Sequence, residues 1–406
     1  MNPPATPSFL AEVSMAPRDP ILGVTEAYNA DKNPKKVNLG VGVYYDEDGK
    51  VPLLECVRQA EHRMEASPAP HVYLQGDGFA DYNRAVRDLV FGASSEVVTE
   101  GRVVTVQSLG GTGGLKIGAD FLKRFAPGAR VYISDPSWEN HRGLFEAAGF
   151  QVENYAYYDV ATRGVAFDRM MADFERMSAG SIVVLHACCH NPTGADLSRD
   201  QWTTVIEVVT RRGLIPFLDI AYQGFGDGLD ADGEVVRRFA QTGQPSVVAN
   251  SFSKSFSLYG ERIGALSVVT TSKEESARVL SQLKRVIRTN YSNPAAFGAK
   301  VVASVLNSAD GRAQWDGELA HMRDRIKSLR RELVEKLKAR VPDADFDFVI
   351  EQRGMFSYSG LTAAQVQRLR DEYSIYAIDT GRICVAALNT RNLDYVADAI
   401  AAVLKG

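Results

Sequence analysis

The stretch Ser246-Val247-Val248-Ala249-Asn250-Ser251-Phe252-Ser253-Lys254 ends a run of small and β-branched residues in a lysine. The run predicts a buried strand over Ser246–Ser251. Lys254 then lies just beyond the carboxyl end of that strand, where open α/β sheets bind ligands. Ser251 and Ser253 stand two positions apart, so both hydroxyls face one side. Arg262 follows eight residues after Lys254, and its guanidinium suits bidentate phosphate binding. In isolation the stretch reads first as a surface loop with a solvated lysine.

Outward from it, five more runs predict buried strands: Val103–Gln107, Val131–Ser134, Ser181–His186, Ile215–Ile220 and Ile263–Val269. Gly113–Phe125, His141–Ala148, Arg199–Arg212 and Glu234–Thr242 carry helical periodicity. This alternation implies an α/β fold, with a mostly parallel sheet between helices. The pattern changes after about Asn307, where a long charged helix near Gly317–Val341 precedes short strands and two more helices. Met1–Pro20, rich in Pro, Ala and Ser, reads as an extended arm, and a helix is expected from Pro20 with Asp19 as N-cap. A chain of 406 residues is long for one core. The expected division is an arm and part of a smaller α+β domain in 1–48, a large domain in 49–310, and the rest of the small domain in 311–406.

Composition narrows the function. Hydrophobic residues make up 45% and charged residues 24%, and the net charge is -4. No basic excess is available to neutralise phosphates, so a nucleic-acid partner is not expected. The densest basic run, Lys327 to Arg340, is interspersed with Glu332 and Glu335 and reads as a solvated helix face. No apolar run approaches the roughly 20 residues of a membrane span, and no signal peptide is evident. Cys56, Cys188, Cys189 and Cys384 have no zinc-like spacing, and adjacent Cys188 and Cys189 would point in opposite directions on a strand. A reduced, cytoplasmic compartment and no metal site are expected.

Three other strand ends carry chemistry. Ser108-Leu109-Gly110-Gly111-Thr112-Gly113-Gly114 joins a strand to a helix and aims free N–H groups and the helix dipole at an anion. It matches neither the dinucleotide fingerprint nor a P-loop, which argues against a nicotinamide dehydrogenase. Phe217-Leu218-Asp219-Ile220-Ala221-Tyr222 sets a carboxylate in a very apolar strand, where it needs a partner such as a protonated pyridine nitrogen. Tyr222 is placed to reach the same ring's phenolic oxygen. His186-Ala187-Cys188-Cys189-His190-Asn191-Pro192-Thr193-Gly194 ends in a turn whose Asn191 amide can bond a ligand oxygen, with a cis bond possible before Pro192. Each of these alone is also an ordinary turn or cap.

Together the four segments resemble the class I aminotransferases, which have fold type I of the pyridoxal-phosphate enzymes. Val37-Asn38-Leu39-Gly40-Val41-Gly42-Val43-Tyr44, Ser137-Trp138-Glu139-Asn140-His141, Asn290-Tyr291-Ser292-Asn293-Pro294, Gly354-Met355-Phe356-Ser357 and Gly381-Arg382 extend the resemblance over nearly the whole chain. It implies pyridoxal 5'-phosphate as cofactor, held by Lys254 as a Schiff base, with the freed lysine moving the substrate proton. It implies Asp219 at the ring nitrogen, Asn191 and Tyr222 at the phenolic oxygen, and Trp138 on the ring face. His141 and His186 lie behind Asp219. Gly111, Thr112, Ser251, Ser253 and Arg262 hold the phosphate, with Tyr73, in Tyr73-Leu74-Gln75-Gly76, reaching the phosphate of a neighbouring subunit. Gly42 and Arg382 contact the substrate, Arg382 through its α-carboxylate. Arg288 matches the arginine that one subunit supplies for the distal carboxylate in the other. The partners implied are amino acids, 2-oxo acids and a second copy of the chain.

Both aspartate and bacterial aromatic-amino-acid aminotransferases resemble the sequence. Phe297, where aspartate enzymes typically carry histidine, leans toward the aromatic branch, as do Ser253–Arg262 and Gln352–Tyr358. Phe297 is read as apolar contact for a substrate ring or as core packing. Gly110 replaces a serine that contacts phosphate in many relatives. The expected reaction is ping-pong transamination between aromatic amino acids, also aspartate, and 2-oxoglutarate. An aspartate-preferring transaminase is the nearest alternative, then a β-lyase or decarboxylase on the same fold.

Overall fold

The computed structural model describes residues 8–16 and 20–405. A seven-stranded sheet forms its centre, in the spatial order Val103–Leu109, Ile263–Val269, Ser246–Ser251, Ile215–Ile220, Ile182–His186, Arg130–Asp135, Gln151–Ala156. Only Ile263–Val269 runs antiparallel to its neighbours. Six strands match the segments expected from sequence. The edge strand Gln151–Ala156 was not expected, because only Tyr155 in it is buried and its apolar signal is weak.

Both faces of the sheet are covered, which is why its strands read as continuous apolar runs rather than alternating ones. Alternate side chains feed two cores. Phe217, Val247 and Ala249 join Leu115, Phe121, Phe145 and Ile287 on one side, whereas Leu218, Ile220 and Val248 join Val205, Val236 and Phe239 on the other.

The helix expected from Gly113 begins at Gly110 and runs to Phe125. Glycine is a poor helix former, so propensity hides this first turn. The helix expected over Glu234–Thr242 runs from Leu229 to Gln241, and the long helix spans Ala309–Arg340. A helix occupies Pro20–Ala30, and the proposed cap Asp19 lies outside the described residues. Val37–Asn38 pairs in parallel with Ile375–Tyr376, tying the amino-terminal segment to the carboxyl-terminal part. Phe356–Tyr358 pairs with Arg382–Cys384 and sets Tyr358 opposite Arg382. Among the described residues no helix is long and apolar enough to cross a membrane.

Candidate active site

A cavity of about 170 Å³ at the carboxyl ends of the central strands collects most of the sequence-predicted residues. Gly42, Gly111, Thr112, Trp138, Asn191, Asp219, Tyr222, Ser251, Ser253, Lys254, Arg262 and Arg382 all line it, as does His186. A larger hollow of about 650 Å³, bordered by Tyr28, Lys36 and Asn389, contains none of them.

One end of the cavity is built for an anion. The helix Gly110–Phe125 starts directly on the strand Val103–Leu109, so its unpaired N–H groups open beside Ser251 and Arg262. Gly110 has φ +70°, and a Cβ there would lie 2.5 Å from Arg262 Nη2. The guanidinium therefore occupies the space a side chain would need. Arg262 Nη1 donates to Tyr259 O at 3.0 Å and to Ser253 Oγ at 3.4 Å, which leaves Nη2 facing the helix N-terminus.

The opposite end is built for a cation. Asp219 is 6% exposed, and its Oδ2 lies 2.9 Å from His141 Nε2. A carboxylate accepts only, so Nε2–H donates, while Nδ1 lies 2.9 Å from the Ser137 hydroxyl. Burial pushes the Asp219 carboxyl up, but the His141 hydrogen bond and nearby positive charge outweigh it and hold the group below its usual range. His186 packs 5.0 Å from His141 and is held neutral, its pKa lowered to about 3 chiefly by burial. Trp138 meets His141 edge-on at 5.3 Å. Burial raises the Tyr222 phenol, which remains a neutral donor.

Between these ends lies Lys254, 5.4 Å from the Tyr222 ring centroid. Burial lowers its pKa to about 8; Asp219 opposes this and Arg262 adds to it. An amine near 8 is about one-tenth neutral at pH 7, a few hundred times more than a free lysine, and the neutral form is the one a nucleophile or base requires.

Arg382, 1% exposed, donates from Nη1 to Asn191 Oδ1 at 3.1 Å and from Nη2 to Gly40 O at 2.7 Å. The turn bearing Asn191 has a cis bond before Pro192. Asp196 braces that turn by accepting from Cys189 N at 2.7 Å and His190 N at 2.8 Å, and burial raises its pKa to about 6. Phe356, from the Gly354-Met355-Phe356-Ser357 segment, also lines the cavity. Its ring lies 4.4 Å from the Arg382 guanidinium carbon and 6.0 Å from the Tyr222 ring. A Cβ at Gly42 would fall 2.6 Å from Phe356 Cζ, so glycine lets the backbone approach the ring. Ile21 and Leu115 add apolar wall; no motif marked them.

Tyr73, 91% exposed, and Arg288, also exposed, lie outside this chain's own cavity, which is consistent with their expected place in a neighbouring subunit's site. Three readings need correction. Phe297 is 45% exposed at the start of its helix and is neither core nor cavity wall. Cys188 and Cys189 do not diverge. The strand ends at His186, Cys189 has φ +51°, and both thiols converge with Asp232. Arg330, inside the basic run read as solvated, is buried.

Residues 34–400 match the family "Aminotransferase class I and II". The chain is 60% identical over 397 residues to the aspartate aminotransferase of Pseudomonas aeruginosa, covering 98% of this chain and 100% of that one. It is 52% identical over 387 residues to the aromatic-amino-acid aminotransferase of Escherichia coli, covering 95% and 98%. The crystal structure of the aromatic-amino-acid aminotransferase from Burkholderia pseudomallei, covalently bound to pyridoxal phosphate, superimposes with a TM-score of 0.96 at 62% identity, over 98% of this chain and 100% of that one. An anion cup, a buried carboxylate, a depressed lysine and a held arginine thus sit together in a chain that belongs to the class I and II aminotransferases.

Proposed function

We propose that the protein is a pyridoxal-phosphate-dependent aromatic-amino-acid aminotransferase that also accepts aspartate and uses 2-oxoglutarate in a ping-pong sequence. One observation carries this reading: groups for a phosphate, a cationic ring nitrogen, a phenolic oxygen and a carboxylate converge around Lys254 in one cavity. The residues fit the cofactor. The Gly110 turn, Ser251, Ser253 and Arg262 form a cradle for a dianion, and the low pKa of Asp219 suits a pyridinium.

When bound, pyridoxal phosphate supplies an electron-withdrawing ring that stabilises negative charge at the substrate Cα. The chain's own residues do the rest. Asp219, held by His141, keeps a proton on the ring nitrogen. Asn191 and Tyr222 donate to the phenolic oxygen, and Trp138 covers the ring. Lys254 would hold the cofactor covalently and, as a freed neutral amine, would take the substrate Cα proton and deliver it to the cofactor's C4′ carbon. Arg382 grips the α-carboxylate with two parallel donors.

The further assignment is a homodimer in which Tyr73 and Arg288 of each subunit complete the other's site. Their outward exposure supports it, as does the exposure of Phe9, Val13 and Met15 in the amino-terminal segment. The two-domain division at 1–48, 49–310 and 311–406 belongs to the same reading, with the long helix starting at Ala309. Four unpaired buried cysteines support a reducing, cytoplasmic compartment.

The test is kcat/KM for tyrosine, phenylalanine and aspartate with 2-oxoglutarate. Comparable values for all three are expected. An aspartate preference of about 100-fold, roughly 2.7 kcal/mol, would favour the aspartate-specific reading. Pyruvate or CO₂ released from a single substrate would point to lyase or decarboxylase chemistry.

A further inference from the structure

Arg330, in the middle of the helix Ala309–Arg340, is 2% exposed. Buried arginines are usually paired with carboxylates, because an unpaired buried charge is costly. Among the described residues no carboxylate is in ion-pair contact with this one. Its guanidinium donates instead to three backbone carbonyls: Nη1 to Val349 O at 3.0 Å, and Nη2 to Gly354 O at 2.8 Å and Phe356 O at 2.5 Å. All three belong to the segment that delivers Phe356 to the active site. That segment is also joined to the Asn191 turn, since Arg353 N donates to Gly194 O at 2.7 Å.

A planar donor with a fixed fork sets the path of a backbone that bonds to it at several points. Here the path fixes the Phe356 ring, which lies against Gly42 and 4.4 Å from the Arg382 guanidinium carbon. Arg382 has polar partners on Asn191 and Gly40 and an aromatic face on Phe356. A shift of that face would let the guanidinium tilt away from its two-pronged geometry, and misplacement of this kind costs binding steeply.

We propose that Arg330 is a positioning residue for the substrate α-carboxylate, acting through Phe356 on Arg382. The inference rests on the assignment of Arg382 to that carboxylate. Arg330 touches neither substrate nor cofactor, so its effect falls on the affinity for amino and oxo acids and not on cofactor retention.

The experiment compares Arg330→Lys, Arg330→Met, Phe356→Leu, the Arg330→Lys/Phe356→Leu double variant and Arg382→Lys as cofactor-loaded dimers. The readouts are KM and kcat for aspartate and tyrosine, Kd for succinate as an unreactive dicarboxylate, and thermal midpoint. Arg330→Lys should raise KM and the succinate Kd roughly tenfold with a smaller change in kcat and full cofactor content. The double variant should be no weaker in succinate binding than Phe356→Leu alone, because both changes act on one route. Multiplying effects, or a lowered thermal midpoint with unchanged KM and Kd, would overturn the proposal. If Arg330→Met does not fold, Arg330→Lys and the double variant still decide. If Arg382→Lys left KM and Kd unchanged, the assignment of Arg382 itself would be lost. If Arg382→Lys raised them and the Arg330 and Phe356 variants did not, this inference alone would fail.

Discussion

Lys254 shows what one side chain gains from its setting. In water its amine would titrate near 10.5, and burial brings it to about 8. For a lysine with a depressed folded pKa, the associated stability is present above the unfolded value and is lost as pH falls through the folded one. The fold therefore favours the neutral amine relative to the unfolded chain, while below about pH 8 the ammonium is still the major form. In protein stripped of cofactor, the rate of reaction with a small neutral aromatic aldehyde should rise with pH through a midpoint near 8; a midpoint near 10.5 would contradict the buried setting. Lys254→Ala should still retain pyridoxal phosphate through the Ser251–Ser253–Arg262 cup, yet lose transamination by roughly 10⁴-fold or more. Absorbance of the protein peak after gel filtration checks the first part, and single-turnover kinetics the second. Loss of the fold instead would mean that Lys254 has a structural role. Lys254, Asp219 and Asn191 drew notice in the sequence because each stands at or just beyond the end of a strand, whereas Arg382, which opens the strand Arg382–Cys384, was marked only by the family resemblance. Phe356 was visible in a motif but had no legible role, since its partners Gly42, Tyr222 and Arg382 come from three distant segments.

At the scale of elements, the strand-to-helix turn at Gly110 sets a left-handed glycine directly against the anion cup. Alanine there must take φ +70° and push against Arg262. The left-handed conformation costs roughly 1–2 kcal/mol for a residue with a Cβ, and the displaced guanidinium weakens the anion cup. Gly110→Ala should lower the thermal midpoint and raise the Kd for pyridoxal phosphate about tenfold or more, read by fluorescence titration. An unchanged Kd would show that Arg262 does not serve the cup. The central strands were legible because burial on both faces makes each a continuous apolar run. The first turn of the Gly110 helix was not, because its glycines are chosen for close approach to Arg262 and the neighbouring strand, against helix propensity.

At the scale of the molecule, Tyr73 and Arg288 face outward, and both are assigned to a partner's site. The solution mass should be twice 44.4 kDa. A mixture of Lys254→Ala and Arg288→Ala subunits, dissociated and reassembled, gives hybrids with one intact and one doubly defective site. With random pairing, about a quarter of wild-type aspartate activity should return. Recovery no greater than the Arg288→Ala homodimers supply would place Arg288 outside the shared site.

The class of fold, the order of the buried strands along the chain and the strand-end groups that surround Lys254 could be read from the amino-acid order. These follow from local patterns: apolar runs, turn residues, and polar side chains set where a strand stops. Tertiary structure alone decided that Arg330 is interior, that Cys188 and Cys189 converge, that Gln151–Ala156 closes the sheet and that Phe297 stays at the surface. In each case the environment is supplied by residues remote in sequence, and a residue's type does not reveal what will fold over it. Arg330 is the sharpest instance: in the sequence it is one basic residue in a charged helix, and in the fold three backbone carbonyls make it the clamp behind the Phe356 segment.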